Sequence, residues 1–121
     1  MIVSGVDLVE NGRLQRAFAR HGQPFYNRIF TEQEQAYCNG RVERLAGRFA
    51  VKEAVSKALG TGIGKIRWTD IEVVSNAQGK PELVLHNEAQ AVAEQMGLRE
   101  WSISISHTKT LAIGFATAIG M

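Results

Sequence analysis

The segment GRFAVKEAVSKALGTGIG, residues 47–64, carries the side chains best suited to chemistry. Glu53 and Lys57 stand four positions apart, so they share one face of a predicted helix. One interpretation is a surface ion pair, which contributes about 0.2–0.5 kcal/mol. The other is a metal–polyphosphate site, in which Glu53 holds a hard cation and Lys57 meets phosphate oxygens.

The neighbours of this pair favour a ligand. Small residues surround Glu53, which would let a molecule approach closely; they are Ala46, Ala50 and Ala54. A loop with glycine at 60, 62 and 64 follows, and glycine lets backbone N–H groups turn toward a bound anion. Gly60 is equally suited to an ordinary helix C-cap.

A second carboxylate strengthens the metal interpretation. Asp7 follows Gly5 at the predicted end of the first strand, where an acid is poorly placed for core packing. It would either cap the next turn or serve as a ligand. Mg²⁺ usually takes one or two protein carboxylates together with water and substrate phosphates, and Asp7 with Glu53 meets that requirement.

A third group of polar side chains ends an alternating strand at SISISHT. His107 is flanked by Ser106 and Thr108, and all three could donate hydrogen bonds to a phosphate. A structural hydrogen-bonding role is the alternative for His107. No nucleophile-elbow motif accompanies these residues, which argues against a serine hydrolase.

Charge is unevenly distributed along the 121 residues, whose net charge is +2. Residues 1–67 hold eleven Lys/Arg against six Asp/Glu, which gives +5, whereas residues 68–121 hold three against six, which gives −3. The N-terminal half is therefore predicted to meet an anionic partner: a nucleic acid, an acidic protein or a polyphosphate. Interleaved aromatic residues and RNA-binding signatures are lacking, so a nucleic acid is disfavoured.

Arginines on the first predicted helix form a basic stripe. Arg13, Arg16 and Arg20 are three and four positions apart and share one exposed face. The stripe is either a solvated helix surface or a docking site for an acidic protein.

Composition limits the class of protein. The length predicts one domain, 1–121, and the single cysteine, Cys38, excludes an internal disulfide and is predicted to be a buried thiol. No apolar run approaches the roughly 20 residues of a membrane span, and MIVSGVDLVEN lacks a basic leader. We therefore expect a cytoplasmic protein without a membrane partner.

Local patterns predict strand, three helices, two strands, helix and two strands. The strands cover about 2–9, 70–75, 81–86, 101–106 and 111–119, with Gly79 in the turn between the second and third. The helices cover 11–21, a segment that begins at a capping box of Thr31 and Glu34, 43–59 and 88–96. This order indicates an α+β fold with an antiparallel sheet packed against helices.

Five motifs in order resemble those of the holo-acyl-carrier-protein synthases, the short bacterial 4′-phosphopantetheinyl transferases. They are GVDLVENGR, FTEQEQAYC, RFAVKEAVSKALGTGIG, DIEVVSNAQGKPEL and SISISHT, and the resemblance runs from about residue 2 to residue 118. It implies the fold of that family and transfer of the phosphopantetheine arm of coenzyme A to a serine of apo acyl carrier protein. Adenosine 3′,5′-bisphosphate would be released, and fatty acid synthesis is the default pathway.

The resemblance also assigns residues to the reaction. Asp7 and Glu53 would bind Mg²⁺, and Lys57 would contact the diphosphate and stabilise charge as the P–O bond breaks. Glu53, directly or through a metal-bound water, is the favoured proton acceptor, and Asp7 is the alternative.

Further residues would bind coenzyme A or the carrier. Arg48 and His107 would lie near its phosphates, including the 3′-phosphate, and the other predicted coenzyme A contacts are Gly79, Lys80, Pro81, Ser106 and Thr108. The carrier would dock on Arg13, Arg16, Arg20 and Arg28.

Members of this family form homotrimers with sites between subunits. We therefore expect Asp7, Glu53 and Lys57 from one subunit and Arg48 with the 79–81 turn from the next. The alternative is a catalytically silent scaffold that binds coenzyme A or the carrier protein. The presence of both predicted metal ligands argues against it.

Overall fold

This computed structural model describes residues 1–120, which contain five helices and five strands. The elements are β1 (Ile2–Glu10), α1 (Asn11–His21), α2 (Gln23–Ile29), α3 (Glu32–Cys38), α4 (Val42–Leu59), β2 (Ile71–Ser75), β3 (Pro81–Leu85), α5 (Asn87–Gln95), β4 (Leu98–His107) and β5 (Leu111–Gly120). A 3₁₀ turn at Trp68–Asp70 precedes β2. The predicted domain ends at Met121, which lies outside the described residues. Among the helices of residues 1–120, none has the length and apolarity needed to span a bilayer.

The predicted α+β architecture is confirmed, with one helix more than expected. Gly22, at φ 67°, ends α1, and Pro24 lies in the first turn of the seven-residue α2, which the sequence analysis missed. Proline suits the first turn of a helix, because its missing N–H has no intrahelical partner there. The capping box of α3 is present as predicted: Glu34 N donates to Thr31 Oγ1 and Thr31 N donates to Glu34 Oε1.

The strands form two sheets, both antiparallel. One has the order β1-β5-β4, and the other is the β2-β3 hairpin that was predicted around Gly79. The hairpin turn is held by Asn76, whose Oδ1 accepts from the backbone N–H groups of Gln78 and Lys80. The three-stranded sheet therefore has β1 at one edge and β4 at the other.

Helix α4 lies unusually close to the three-stranded sheet. A Cβ at Gly5 of β1 would overlap the carbonyl of Ala54, and a Cβ at Gly114 of β5 would overlap the α4 backbone at Ala50. Only glycine permits this approach. The consequence is that side chains of β1 on this face lie directly beside those of α4.

The predicted position of Asp7 at the end of its strand is wrong. β1 continues three residues beyond it to Glu10, and Asp7 pairs with Gly114 in the interior of the ladder. Alternation along β1 places Asp7 on the same face as the buried Gly5 and Val9, toward α4. Asp7 therefore does not cap a turn; it is a carboxylate on the packed face of a sheet.

A buried ion pair ties α3 to α4. Lys52 Nζ lies 2.8 Å from Glu34 Oε1, and both side chains are fully shielded from solvent. Lys52 also donates to the carbonyls of Trp68 and Ile71, while Glu34 Oε2 accepts from Val73 N at 2.9 Å. The pair thus joins α3, α4 and the start of β2 at one point.

Cys38, the last residue of α3, is a buried free thiol, as predicted. Burial raises the pKa of this thiol to about 11, with smaller contributions of both signs from nearby charges. It is therefore protonated and chemically inert at neutral pH.

Candidate active site

Asp7, Glu53 and Lys57 come together where α4 crosses β1. Lys57 Nζ donates to Asp7 Oδ1 at 3.0 Å and to the carbonyl of Val6 at 3.0 Å. The Lys57 side chain is 53% exposed and that of Asp7 is 19% exposed, so the pair opens to solvent on the lysine side. Lys57 therefore forms its ion pair with β1 and not with Glu53, in contrast to the simple helix-surface interpretation.

Glu53 is half-buried beside this pair, and Lys57 compensates its charge only in part. Within residues 1–120 no group donates a hydrogen bond to its carboxylate. Burial raises the pKa of Glu53, and the negative charge of Asp7 raises it further, whereas Lys57 opposes both. Two carboxylates that repel each other, with one lysine near both, make a region that favours an added positive charge.

The donor set fits a hard divalent cation. Asp7 and Glu53 offer only carboxylate oxygens, the ligand type that Mg²⁺ prefers. No cluster of three or more His, Cys, Asp or Glu that could hold a metal occurs in the described chain. The protein could thus supply two ligands, and the remaining positions would fall to water and to oxygens of a phosphorylated substrate.

The glycine loop after α4 closes the helix instead of presenting free N–H groups. Gly60 adopts a left-handed conformation (φ 77°) and is the C-cap, as one of the two interpretations proposed. The N–H groups of Thr61 and Gly62 both donate to the carbonyl of Ser56, and Gly64 N donates to Ile66 O. The expected cradle of N–H donors is therefore not formed by these residues.

A groove of about 380 Å³ runs from Asp7 along β1 to α1 and α2. Arg13 lies at its wall, and its apolar lining includes Leu14, Phe25 and Phe49. The groove connects the carboxylates of β1 to the basic stripe, because Arg16 and Arg20 are exposed on the same helix as Arg13. Arg28 does not extend the stripe.

Arg28 instead lines a separate cavity of about 370 Å³ between α2 and the glycine loop. Arg67 and Trp68 contribute to the same cavity. The four arginines predicted to dock a partner therefore divide into a stripe of three on α1 and one on α2.

A further cavity, of about 220 Å³ and lined by polar residues, lies at the β4 edge of the sheet. Arg48, Gly79, Pro81 and His107, all predicted to bind the same ligand, line it. Arg48 Nη2 donates to Ser75 Oγ at 2.9 Å, and the Arg48 side chain is almost completely buried. Residues from four separate elements and turns thus converge on one cavity.

Three other predicted ligand contacts lie outside that cavity. Ser106 alternates with His107 along β4 and lies on the open face of the sheet, opposite Ile113 of β5. Thr108 Oγ1 accepts from the N–H groups of Thr110 and Leu111 and so shapes the β4–β5 turn. Lys80 is exposed at the hairpin and lines a neighbouring gap between β3 and β4.

The two clusters occupy opposite edges of the three-stranded sheet. Asp7 lies on β1 and His107 on β4, with β5 between them. Glu53 and Arg48 are on the same helix but five positions apart, which is about 140° around its axis. Within one chain the two clusters therefore open in different directions.

Comparison with known proteins identifies the family. A sequence model of the 4′-phosphopantetheinyl transferase superfamily matches residues 4–115. A holo-[acyl-carrier-protein] synthase of Herpetosiphon aurantiacus is 44% identical over an alignment of 127 positions, which spans 99% of this chain and 100% of that protein. The chain belongs to the holo-[acyl-carrier-protein] synthase family. It is a phosphopantetheinyl transferase, as its motifs predicted.

Solved structures of the holo-[acyl-carrier-protein] synthase family share the fold. The Helicobacter pylori enzyme, crystallised in complex with coenzyme A, superposes with a TM-score of 0.87 at 31% identity, covering 98% of this chain and 100% of that one. The Bacillus anthracis enzyme, in complex with CoA (3′,5′-ADP), gives a TM-score of 0.78 at 35% identity, covering 96% and 94%. The predicted family fold is therefore confirmed.

Five residues that line the cavity at β4 escaped the sequence analysis: Tyr37, Glu43, Arg44, Ser75 and Ile105. Arg44 and Arg48 are four positions apart on α4, so their shared helix face was a usable signal. Tyr37 and Ser75 had none, because they reach the cavity only through packing of α3 and β2 against α4.

Proposed function

We propose that this enzyme transfers the 4′-phosphopantetheine arm of coenzyme A to a serine of apo acyl carrier protein. The reaction is Mg²⁺-dependent, releases adenosine 3′,5′-bisphosphate and serves cytoplasmic fatty acid synthesis. The observation that carries the proposal is the cluster of Asp7, Glu53 and Lys57 at the β1 edge. The complexes of its H. pylori and B. anthracis relatives with coenzyme A support the choice of donor.

The chemistry requires charge neutralisation and alignment more than covalent participation by the protein. The serine oxygen attacks the phosphorus next to pantetheine, a new P–O bond forms, and the bond to the adenosine 3′,5′-bisphosphate leaving group breaks. Lys57, already fixed by Asp7 and Val6, stabilises negative charge on the diphosphate oxygens. Glu53 accepts the serine proton, since Asp7 is engaged by Lys57 whereas the Glu53 carboxylate has no hydrogen-bond donor within residues 1–120.

Asp7 and Glu53 are the residues that would hold Mg²⁺. When bound, the ion supplies Lewis-acid polarisation and charge neutralisation at the diphosphate. Its charge would also offset the burial of the Glu53 carboxylate and the repulsion from Asp7, which together raise the pKa of Glu53.

The reaction can be tested by intact-mass analysis of apo acyl carrier protein incubated with the enzyme, coenzyme A and Mg²⁺. A mass increase equal to one phosphopantetheine group, abolished by EDTA, is the expected result. An unmodified carrier in the presence of enzyme that still binds coenzyme A would refute the proposed transfer.

The basic stripe of α1 is the proposed docking site for the carrier protein, which is small and acidic. Arg13, Arg16 and Arg20 are exposed on one helix face, and the groove beside Arg13 leads directly to Asp7. A carrier docked on the stripe would thus present its serine near the carboxylates. Complementary charge mainly accelerates encounter and is weakened by salt.

Reversing charge on this stripe should impair use of the carrier selectively. In an Arg13→Glu/Arg20→Glu variant we expect the KM for apo carrier to rise by about 10–10³-fold at low salt, because attraction becomes repulsion. The KM for coenzyme A should stay unchanged, and added salt should narrow the difference from the unmodified enzyme. Steady-state kinetics with each substrate varied in turn would measure both.

A matched charge reversal on β4, Arg99→Glu, provides the control and should leave the carrier KM within about twofold, because it lies away from the stripe. Arg20→Glu alone separates docking from the metal region, since Arg13 shares a groove with Asp7. If the α1 variant altered only the KM for coenzyme A, the docking assignment would be wrong.

Assembly as a homotrimer is proposed because each chain carries two half-sites at opposite sheet edges. The open face of the sheet is also strongly apolar; its exposed large side chains are Ile2, Val6, Leu8, Leu111, Ile113, Phe115 and Ile119. Contiguous exposed apolar surface of this kind marks an interface. A ring of copies related by rotation would bury this face and bring the β1 edge of one copy to the β4 edge of the next.

Mixing two inactive variants would test whether the site is shared. Glu53→Gln disables the β1 half-site and Arg48→Gln the β4 half-site, so each alone should be nearly inactive at limiting coenzyme A. Random co-assembly of equal amounts should restore about a quarter of normal activity, because a quarter of the interfaces then combine two intact halves. Recovery near zero in a mixture that light scattering shows to be trimeric would place both halves in one chain.

A further inference from the structure

The cavity at the β4 edge contains a buried cation without an anionic partner. Arg48 is 5% exposed, and its Nε has no hydrogen-bond partner among the described residues. Its only side-chain hydrogen bond there goes to the hydroxyl of Ser75, which is neutral. A buried charge is costly unless it is paired, so the cavity is built to receive an anion.

The ring of Tyr37 stacks on two guanidinium groups in this cavity. Arg48 Cζ lies 4.3 Å and Arg44 Cζ 5.0 Å from the ring centroid. Arg44 Nη1 also donates to the carbonyl of Tyr37 at 3.0 Å. Cation–π contact of this kind restrains both guanidinium groups on one aromatic surface, although their like charges repel.

The two arginines contribute to the electrostatics at Tyr37, although they are not the largest influence there. Hydrogen bonding with Ser75 lowers the pKa of Tyr37; burial opposes this effect, and the positive charges of Arg48 and then Arg44 add to it. His107 and the hairpin turn complete the wall, and among the described residues Glu43 is the one acidic residue on it.

Two adjacent guanidinium groups match a doubly charged phosphate monoester. Each presents a planar fork of N–H donors that pairs with phosphate oxygens. The proposed function assigns the diphosphate of coenzyme A to the cluster around Lys57, and the family resemblance implies that Arg48 and His107 lie near the 3′-phosphate. We therefore take the 3′-phosphate as the group that this cavity receives. A pocket that depends on this phosphate would distinguish coenzyme A from its 3′-dephospho form.

We infer that Tyr37 is a positioning residue that aligns Arg44 and Arg48 by stacking, and thereby gives the enzyme its preference for a nucleotide with a terminal 3′-phosphate. This inference rests on the proposed function and adds a specificity determinant to it. In this inference the aromatic ring carries the effect, through its contacts with both guanidinium groups.

Two substitutions separate the ring from the hydroxyl. Tyr37→Leu removes the stacking surface but keeps apolar bulk, and Tyr37→Phe keeps the ring. With one apo carrier, kcat and KM are measured for coenzyme A and for 3′-dephospho-coenzyme A. Tyr37→Leu should raise the KM for coenzyme A by about 5- to 30-fold, as loss of cation–π contacts implies, and leave kcat and the KM for the dephospho form unchanged. Tyr37→Phe should retain the preference of the unmodified enzyme.

A purely structural role for Tyr37 would lower kcat/KM for both nucleotides to the same extent, and that result would overturn the inference. Loss of preference in Tyr37→Phe would also overturn it, by assigning the effect to the hydroxyl. Calorimetric binding of adenosine 3′,5′-bisphosphate and adenosine 5′-monophosphate measures the same preference without turnover. A failure of the proposed transfer reaction is therefore distinguishable from a failure of the role given to Tyr37.

Discussion

Replacement of Glu53 by glutamine is expected to reduce phosphopantetheine transfer by about 10²-fold or more, the scale on which loss of one preorganised electrostatic contact acts. The amide matches the carboxylate in shape but removes the proposed charged ligand of Mg²⁺ and the proposed proton acceptor at once. Folding should be preserved, because within residues 1–120 nothing donates a hydrogen bond to that carboxylate. The Mg²⁺ concentration that gives half the maximal rate should rise as well.

The variant is best compared with Glu94→Gln, the same change on an exposed position of α5. There the carboxylate only accepts a hydrogen bond from Gln90, at 3.2 Å, so normal transfer is expected. Initial rates over a range of Mg²⁺ concentrations, with circular dichroism to verify folding, would measure the effect. Equal rates in the two variants would show that Glu53 is neither the Mg²⁺ ligand nor the proton acceptor.

Replacement of Lys52 by methionine is expected to destabilise the fold by about 3–5 kcal/mol, the range for breaking a buried ion pair from one side. The substitution leaves the Glu34 carboxylate, which is fully shielded from solvent, without its positively charged partner. It also removes the donor to the carbonyls of Trp68 and Ile71. Urea unfolding at one fixed protein concentration would measure the loss.

The same substitution at Lys65 is the control. Lys65 pairs with Glu88 at 3.7 Å, and both side chains are largely exposed, so Lys65→Met should cost no more than about 1 kcal/mol. In a double-mutant cycle with Glu34→Gln, the Lys52→Met/Glu34→Gln protein should lose less than the sum of the single losses. Additive losses, or a Lys52→Met loss no larger than that of Lys65→Met, would contradict a coupled buried pair.

The carboxylate site could be predicted in composition but not in its pairing. Glu53 and Lys57 share a helix face through local geometry, and Asp7 stood out as an acid among apolar strand residues. The ion pair between Lys57 and Asp7 was not predicted, because Asp7 is fifty positions away along the chain. The packed-face position of Asp7 was readable in principle, since Gly5, Asp7 and Val9 alternate.

For the β4 cavity, some of the lining residues could be predicted, but the aromatic residue that stacks on its arginines could not. Its hairpin turn and His107 followed from turn and strand patterns, and the family resemblance proposed Arg48. Tyr37 could not be assigned, because an aromatic residue on a short helix is more often a core residue, and its stacking on Arg48 arises only when α3 packs against α4. Lys52 is similar: a lysine is almost never fully buried unless it is paired, and only the contact with Glu34 explains its burial.

By itself, the sequence determined the order and type of nearly all elements, the capping of α3, the hairpin at Gly79 and the family to which the chain belongs. These properties depend on interactions between residues close in sequence, or on motifs that can be recognised directly in the sequence. Tertiary structure alone decided that Lys57 pairs with Asp7, that Lys52 and Glu34 are buried together, and that the carboxylate cluster and the β4 cavity lie at opposite edges of one sheet. The physical reason is that strand order, register and helix–sheet distance are set by long-range packing, here by Gly5 and Gly114 against α4.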